Sequence, residues 1–148
     1  MEWWERRYPR DVFVSMELQI TAMAANGKLR APERVYDEIQ HIGSPGLRQW
    51  ATQNRVIFLP HDVPLQTEAN NIQTQFPGII DPNAVHDEAD RYVIAVARLD
   101  ARAVVSYETP ASAKRRARGR VYIPDVCVAL GIDCFDLLEM MRREGWSF

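Results

Sequence analysis

The sequence predicts an α/β fold in three layers, a small parallel sheet flanked by helices on both faces. Three observations predict it. Apolar residues recur at three- to four-residue spacing in several stretches, as they do where one face of a helix is buried. Between those stretches lie short apolar runs, Arg55–Leu59 and Ala103–Tyr107, which read as interior strands. Proline and glycine fall at the joints, and strands that alternate with helices form a parallel sheet covered on both sides.

The first helix is expected over Asp11 to Ala25, where Val12, Phe13, Met16, Ile20 and Met23 share a stripe and Asn26-Gly27 supplies the stop. Lys28 to Ala31 leads to Pro32, which suits the first turn of a second helix with Val35, Ile39 and Ile42 on its apolar side. Gly43-Ser44-Pro45-Gly46 closes it. A third helix covers Leu47 to Gln53 with Trp50 as anchor, and Pro60 ends the Arg55–Leu59 strand. Val63 to Gln75 reads as a more polar helix and Phe76 to Val85 as a loop. Asp87 to Leu99 has an acidic first turn and is then almost wholly apolar beyond Arg91, which places it centrally. After the second strand, Pro110 to Arg120 is a basic loop, Ile123-Pro124 opens a helix that runs to Leu130, and Phe135 to Arg143 forms the final helix.

The 148 residues fit one domain, 47% apolar and 26% charged, which is ordinary globular usage. A formal charge of -2, from 18 basic and 20 acidic side chains, creates no overall field toward nucleic acid or membrane. No apolar run spans a bilayer and the start at Met1 lacks a signal-peptide core, so the expected location is the cytoplasm, with no membrane partner. Cys127 and Cys134 lack metal-ligand spacing and are expected as reduced core thiols.

The chemistry-bearing residues are acids in unexpected places. Glu38 lies between Val35 and Ile42 on the second helix's apolar side, either as a ligand or as a carboxylate snorkelling to solvent. Asp90 precedes Val93, Ile94 and Ala97 on one stripe; Asp87 is one turn earlier, where an N-cap role is the plain alternative. Glu108 follows a strand at the carboxyl edge where open α/β sheets build their sites, or is an ordinary loop residue. Carboxylates brought together without histidine or cysteine favour a hard cation, Mg²⁺ or Mn²⁺, and such ions serve phosphodiester hydrolysis. Lys114, Arg115, Arg116, Arg118 and Arg120 give the basic loop five positive charges in seven residues, for a phosphate backbone or merely for solvent. Trp3, Trp4 and Tyr8 offer rings for base stacking or for completing a core.

The segments Tyr8–Phe13 (Tyr-Pro-x-Asp-Val-Phe), Ala31–Ile39, Asp87–Ala97, Val104–Glu108 (Val-Val-Ser-Tyr-Glu), Ile123–Gly131 and the closing Leu137–Phe148 together resemble a bacterial branch of the PIN-like superfamily. The resemblance implies a PIN-like three-layer domain with an acidic pocket that binds Mg²⁺ or Mn²⁺ and cuts RNA, often as the toxin of a toxin–antitoxin pair with an antitoxin protein as partner. By motif it carries the family's acids onto Glu38, Asp90 and Glu108, with Asp87 as accessory. Relatives open with an apolar strand bearing an early catalytic aspartate, and here the matching segment begins at Glu2. The expectation is therefore a sheet lacking its first strand and an impaired nuclease, with a start codon assigned too late as the favoured explanation, ahead of a degenerate non-catalytic relative and of a gap filled by another chain. A homodimer is expected, and a non-catalytic binding module for RNA or a partner protein is the alternative function.

Overall fold

The computed structural model describes residues 7–9, 12–83, 89–115 and 119–148. The chain is mixed α/β, with seven α-helices and two small parallel sheets among the described residues. Its contacts divide it into two compact units, Met1–Pro60 with Phe148, and His61–Ser147.

In the first unit, helix α1 runs over Val14–Ala25 and buries Met16, Ile20 and Ala24. Val12 and Phe13 precede it rather than belonging to it, and Val12 is exposed; Asp11, the expected start, lies outside the described residues. Strand β1, Ala31–Pro32, passes directly into helix α2, Glu33–Ile42. Pro32 is thus an extended residue and the helix's N-cap, not part of its first turn; with no N–H to place, proline suits this junction. Helix α3, Pro45–Gln53, is capped by Ser44, whose hydroxyl accepts from the Leu47 amide at 3.4 Å.

The five-residue strand expected at Arg55–Leu59 is shorter. Asn54 donates from both its backbone and its side chain to the Trp50 carbonyl, and Ile57 N–H returns to Asn54 O at 3.1 Å. Those bonds wind Arg55–Ile57 into a 3₁₀ turn and leave only Phe58–Leu59 as strand β2. β1 and β2 pair in parallel, Ala31 with Phe58 and Pro32 with Leu59. Trp50 is buried, with its indole N–H on Thr21 Oγ1 at 2.9 Å, so its polar handle is satisfied. Arg55 lies over the Tyr36 ring at 4.3 Å and pairs with Glu33.

In the second unit, helix α4, Val63–Gln75, is capped by Asp62 on the Leu65 amide at 2.9 Å and packs along α5, Asp90–Leu99. Leu65, Ala69 and Ile72 of α4 meet a helix in which Tyr92 and every residue from Ile94 to Ala97 are buried. Burying the larger of these, Leu65, Ile72, Ile94 and Val96, contributes about 1.5–3 kcal/mol each. The central position expected for this helix is observed, although the residues from 84 to 88 lie outside those described.

Strand β3 is Val104–Val105, β4 is Cys134–Phe135, and they pair in parallel, Val104 with Cys134 and Val105 with Phe135. Between them runs α6, Ile123–Leu130, opened by Pro124 and ended by Gly131 at φ +68, a conformation glycine adopts without strain. Helix α7, Leu137–Arg143, starts from an Asp136 cap on the Glu139 amide at 2.8 Å. Phe135, expected as its first residue, belongs to β4 instead. No described helix is long and apolar enough to cross a membrane.

Candidate functional site

The residues singled out by sequence divide between the two units. Glu38 stands on α2 in the first; Asp90, Glu108 and the described part of the basic loop stand in the second. Glu38 is half-buried, immediately before the buried Ile39. The apolar stripe expected to surround it is narrower than its spacing suggests, because Ile42 is 71% exposed.

Asp90 is the first residue of α5 and half-buried, one residue after the buried Ala89. A polar cluster surrounds the following turn. Arg91 donates to the side-chain Oε1 of Gln73 and to the Tyr92 hydroxyl at 3.1 Å; that hydroxyl in turn donates to Gln66 Oε1 at 3.3 Å. The His61 ring leans against the Tyr92 ring at 4.4 Å between centroids. Its Nε2 is buried without a hydrogen-bond partner among the described residues. Spacing along α5 could reveal Asp90, but not these partners, which α4 and the segment before it bring from elsewhere.

Glu108 lies just past the carboxyl end of β3, as expected, and its environment there is defined by α6. Its Oε2 accepts the Ile123 amide at 2.9 Å, while its own N–H donates to Ser106 Oγ at 3.0 Å. Beside it, Asp125 accepts the Tyr122 amide at 2.9 Å and the Ala111 amide at 3.0 and 3.1 Å. Two carboxylates thus gather three amides around the α6 N-terminus, where N–H groups lack helical partners and the helix dipole favours negative charge. Asp125 is a site residue that sequence reading missed. Its signal was available: an acid three residues beyond Tyr122, in the first turn of a helix opened by Ile-Pro.

The basic loop turns inward at two positions. Lys114 Nζ sits 3.2 Å from the Tyr122 ring centroid, and the Arg120 guanidinium is 5.6 Å from the same ring. Arg120 also pairs with Asp81. The Asn83 amide, which donates to Asp81 Oδ1 at 2.9 Å, together with Arg120, holds the Asp81 carboxyl below its ordinary range. Arg115 is exposed. Arg116, Arg118 and the accessory acid Asp87 lie outside the described residues.

The two cysteines are free thiols, as expected. Cys127 on α6 is buried and Cys134 on β4 is half-buried. The neighbouring Cys134 thiol and burial push the Cys127 thiol well above its ordinary value, while Cys127 lowers Cys134 against burial and the charge of Glu108.

Among the described residues, no three His, Cys, Asp or Glu side chains gather as a group suited to a metal ion. In donor chemistry alone, Asp90 and Glu108 fit a hard divalent cation, since both offer carboxylate oxygens, though one oxygen of Glu108 already carries an amide. No curated protein and no solved structure matches the chain. A family model does match it, over residues 1–148, and the chain belongs to the family described as Domain of unknown function (DUF4411).

Proposed function

We propose that this chain is a PIN-like, divalent-metal-dependent endoribonuclease, with Glu38, Asp90 and Glu108 as ligands for Mg²⁺ or Mn²⁺ and Asp87 assisting. The observation that carries the reading is the position of Asp90. Asp90 is half-buried at the head of a helix whose next turns, Ile94 to Ala97, are buried, and the helix dipole there favours a negative charge that a cation could meet. The sequence resemblance points to the same acid independently.

A bound hard cation would supply a water of lowered pKa and would neutralise charge on the phosphodiester oxygens. The protein's part is to hold acids and bases in place. Asp90 is fixed by the first turn of α5, and Glu108 by its bond to the Ile123 amide. The basic stretch from Lys114 to Arg120 would meet the RNA backbone, with Arg115 exposed for that contact. The toxin half of a toxin–antitoxin pair, held by an antitoxin protein, is the setting this reading implies.

A second reading, a non-catalytic module that binds RNA or a partner protein, is favoured by two observations. Glu108 already spends one oxygen on a helix amide, and Lys114 and Arg120 are engaged with Tyr122 and Asp81.

The deciding experiment is Mn²⁺-dependent cleavage of a mixed RNA substrate by this chain, with Asp90→Asn as control. The nuclease reading expects cleavage that falls by more than about 100-fold in the variant, beyond the usual loss for an outer-shell metal partner. Equal cleavage by a folded Asp90→Asn protein rules out Asp90 as a ligand. No cleavage and no Mn²⁺ binding by the unaltered chain decides for the binding module.

A further inference from the structure

Tyr122 is a half-buried aromatic residue at the point where the basic loop meets α6, and both of its backbone polar groups are held. Its N–H donates to Asp125 Oδ2 at 2.9 Å, and its carbonyl accepts the Asp125 and Val126 amides at 2.9 and 3.2 Å. The next amide along, that of Ile123, is the one Glu108 binds at 2.9 Å. The ring is therefore presented from a fixed base, one residue from the amide that anchors a candidate metal ligand. A tyrosine so held loses little further freedom on binding, because only two side-chain torsions remain to be set.

Two cations converge on this ring. Lys114 Nζ stands 3.2 Å from its centroid and the Arg120 guanidinium 5.6 Å from it. They are secured differently. Arg120 also pairs with Asp81, which offsets its charge, whereas Lys114 rests on the ring at the end of a flexible four-carbon stem. Its ammonium stands where the plane of a stacked base would lie, at a spacing of about 3.4 Å. Covering the ring for packing alone does not call for two like charges, which repel each other and which a bound anion would relieve.

We propose that Tyr122 is a stacking platform for an unpaired nucleobase of single-stranded RNA, with Lys114 moving from the ring face to the adjoining phosphate and Arg120 staying beside it. Stacking of a base contributes more than an ammonium does at a partly exposed ring, and the displaced ammonium gains a phosphate in exchange. Arg115, exposed and next to Lys114, extends the positive track along the backbone. A base inside a duplex already has its stacking partners, so the platform selects single strands over paired ones. The inference rests on RNA being the ligand, which the nuclease and the binding-module readings share.

Binding is measured without cleavage, in EDTA and low salt, by fluorescence anisotropy of two labelled strands about eight nucleotides long. One is an oligouridylate and the other an abasic strand with the same phosphates. The unaltered chain should hold the oligouridylate at least about 5-fold more tightly. Tyr122→Leu keeps the bulk and removes the ring face. It should weaken oligouridylate binding by about 5- to 100-fold and leave the abasic strand unaffected, a selectivity that a folding defect would not produce. Tyr122→Phe retains the platform and should bind within about 2-fold of the unaltered chain. Lys114→Gln should weaken both strands and lower the salt slope by about one. Equal affinity of the unaltered chain for the two strands, or oligouridylate binding undiminished in Tyr122→Leu, overturns the platform and leaves RNA as the ligand. Failure of the unaltered chain to bind either strand overturns the proposal as well, while the nuclease reading is still decided by Mn²⁺-dependent cleavage.

Discussion

Asp125→Ala is the perturbation that examines the carboxyl edge of the second unit most directly. The carboxylate accepts the Tyr122 amide at 2.9 Å and the Ala111 amide through both oxygens, and it stands in the first turn of α6. Counting the shared Ala111 amide once, the substitution strands two part-buried donors. A bond to a charged acceptor is worth about 1–1.5 kcal/mol net at such partly exposed positions, and a negative charge in a helix's first turn adds about 0.5 kcal/mol. The expected loss is therefore about 2.5–3.5 kcal/mol. In urea denaturation followed by far-UV circular dichroism this lowers the midpoint by about 1 M, taking a slope of about 2–3 kcal/mol per M. Asp125→Asn keeps one acceptor oxygen and should recover roughly half of the loss. A loss below about 0.5 kcal/mol in the alanine variant would refute the reasoning, because surface substitutions remote from such bonds already cost that much.

Two further outcomes are expected. In Gly78→Ala the new methyl would meet the Gly119 carbonyl oxygen, beside the bond from the Val121 amide to Gly78 O at 3.0 Å. Relief requires the segment from Gly119 to Val121 to move, so thermal unfolding should come about 2–10 °C lower, matching an overpacking cost of about 1–3 kcal/mol; an unchanged melt would show that the segment yields freely. For Asp81, the folded carboxyl lies below its unfolded value, so its stabilising contribution is present above the unfolded pKa and disappears as pH falls through the folded one. Arg120→Gln should bring its titration, followed by carboxyl carbon NMR, part of the way back to the ordinary value, with the Asn83 amide retaining the rest. An unmoved titration would remove Arg120 as a cause.

What the sequence made legible follows from how local each signal is. Helix α6 begins and ends where Pro124 and Gly131 say it should, since both residues act through their own dihedral angles. The span of α4 is equally local, fixed by the Asp62 cap and Pro64. The strands were harder. A two-residue strand such as Ala31–Pro32 is too short to show alternation, and its identity depends on Phe58 and Leu59, far along the chain. At Arg55–Ile57 the apolar run suggested a strand, and the Asn54 bonds to Trp50 and Ile57 decided otherwise. The same limit applies to the candidate site. Asp90 and Glu108 stand out by their position in the chain. The amide that Glu108 binds, the neighbouring Asp125, and the His61–Tyr92 cluster arise from packing between segments, which periodicity does not encode.

Phe148 belongs with the first unit, where its ring meets Phe13 edge to face at 5.7 Å. The intervening chain includes the whole of the second unit. On a ribosome, which delivers residues in order, this contact is therefore unavailable while the rest of the first unit is already made. Phe13 meets Tyr8 edge to face as soon as both are made, but its second aromatic contact, worth about 0.5–1.5 kcal/mol beyond the area buried, must wait until every residue of the second unit has been synthesised.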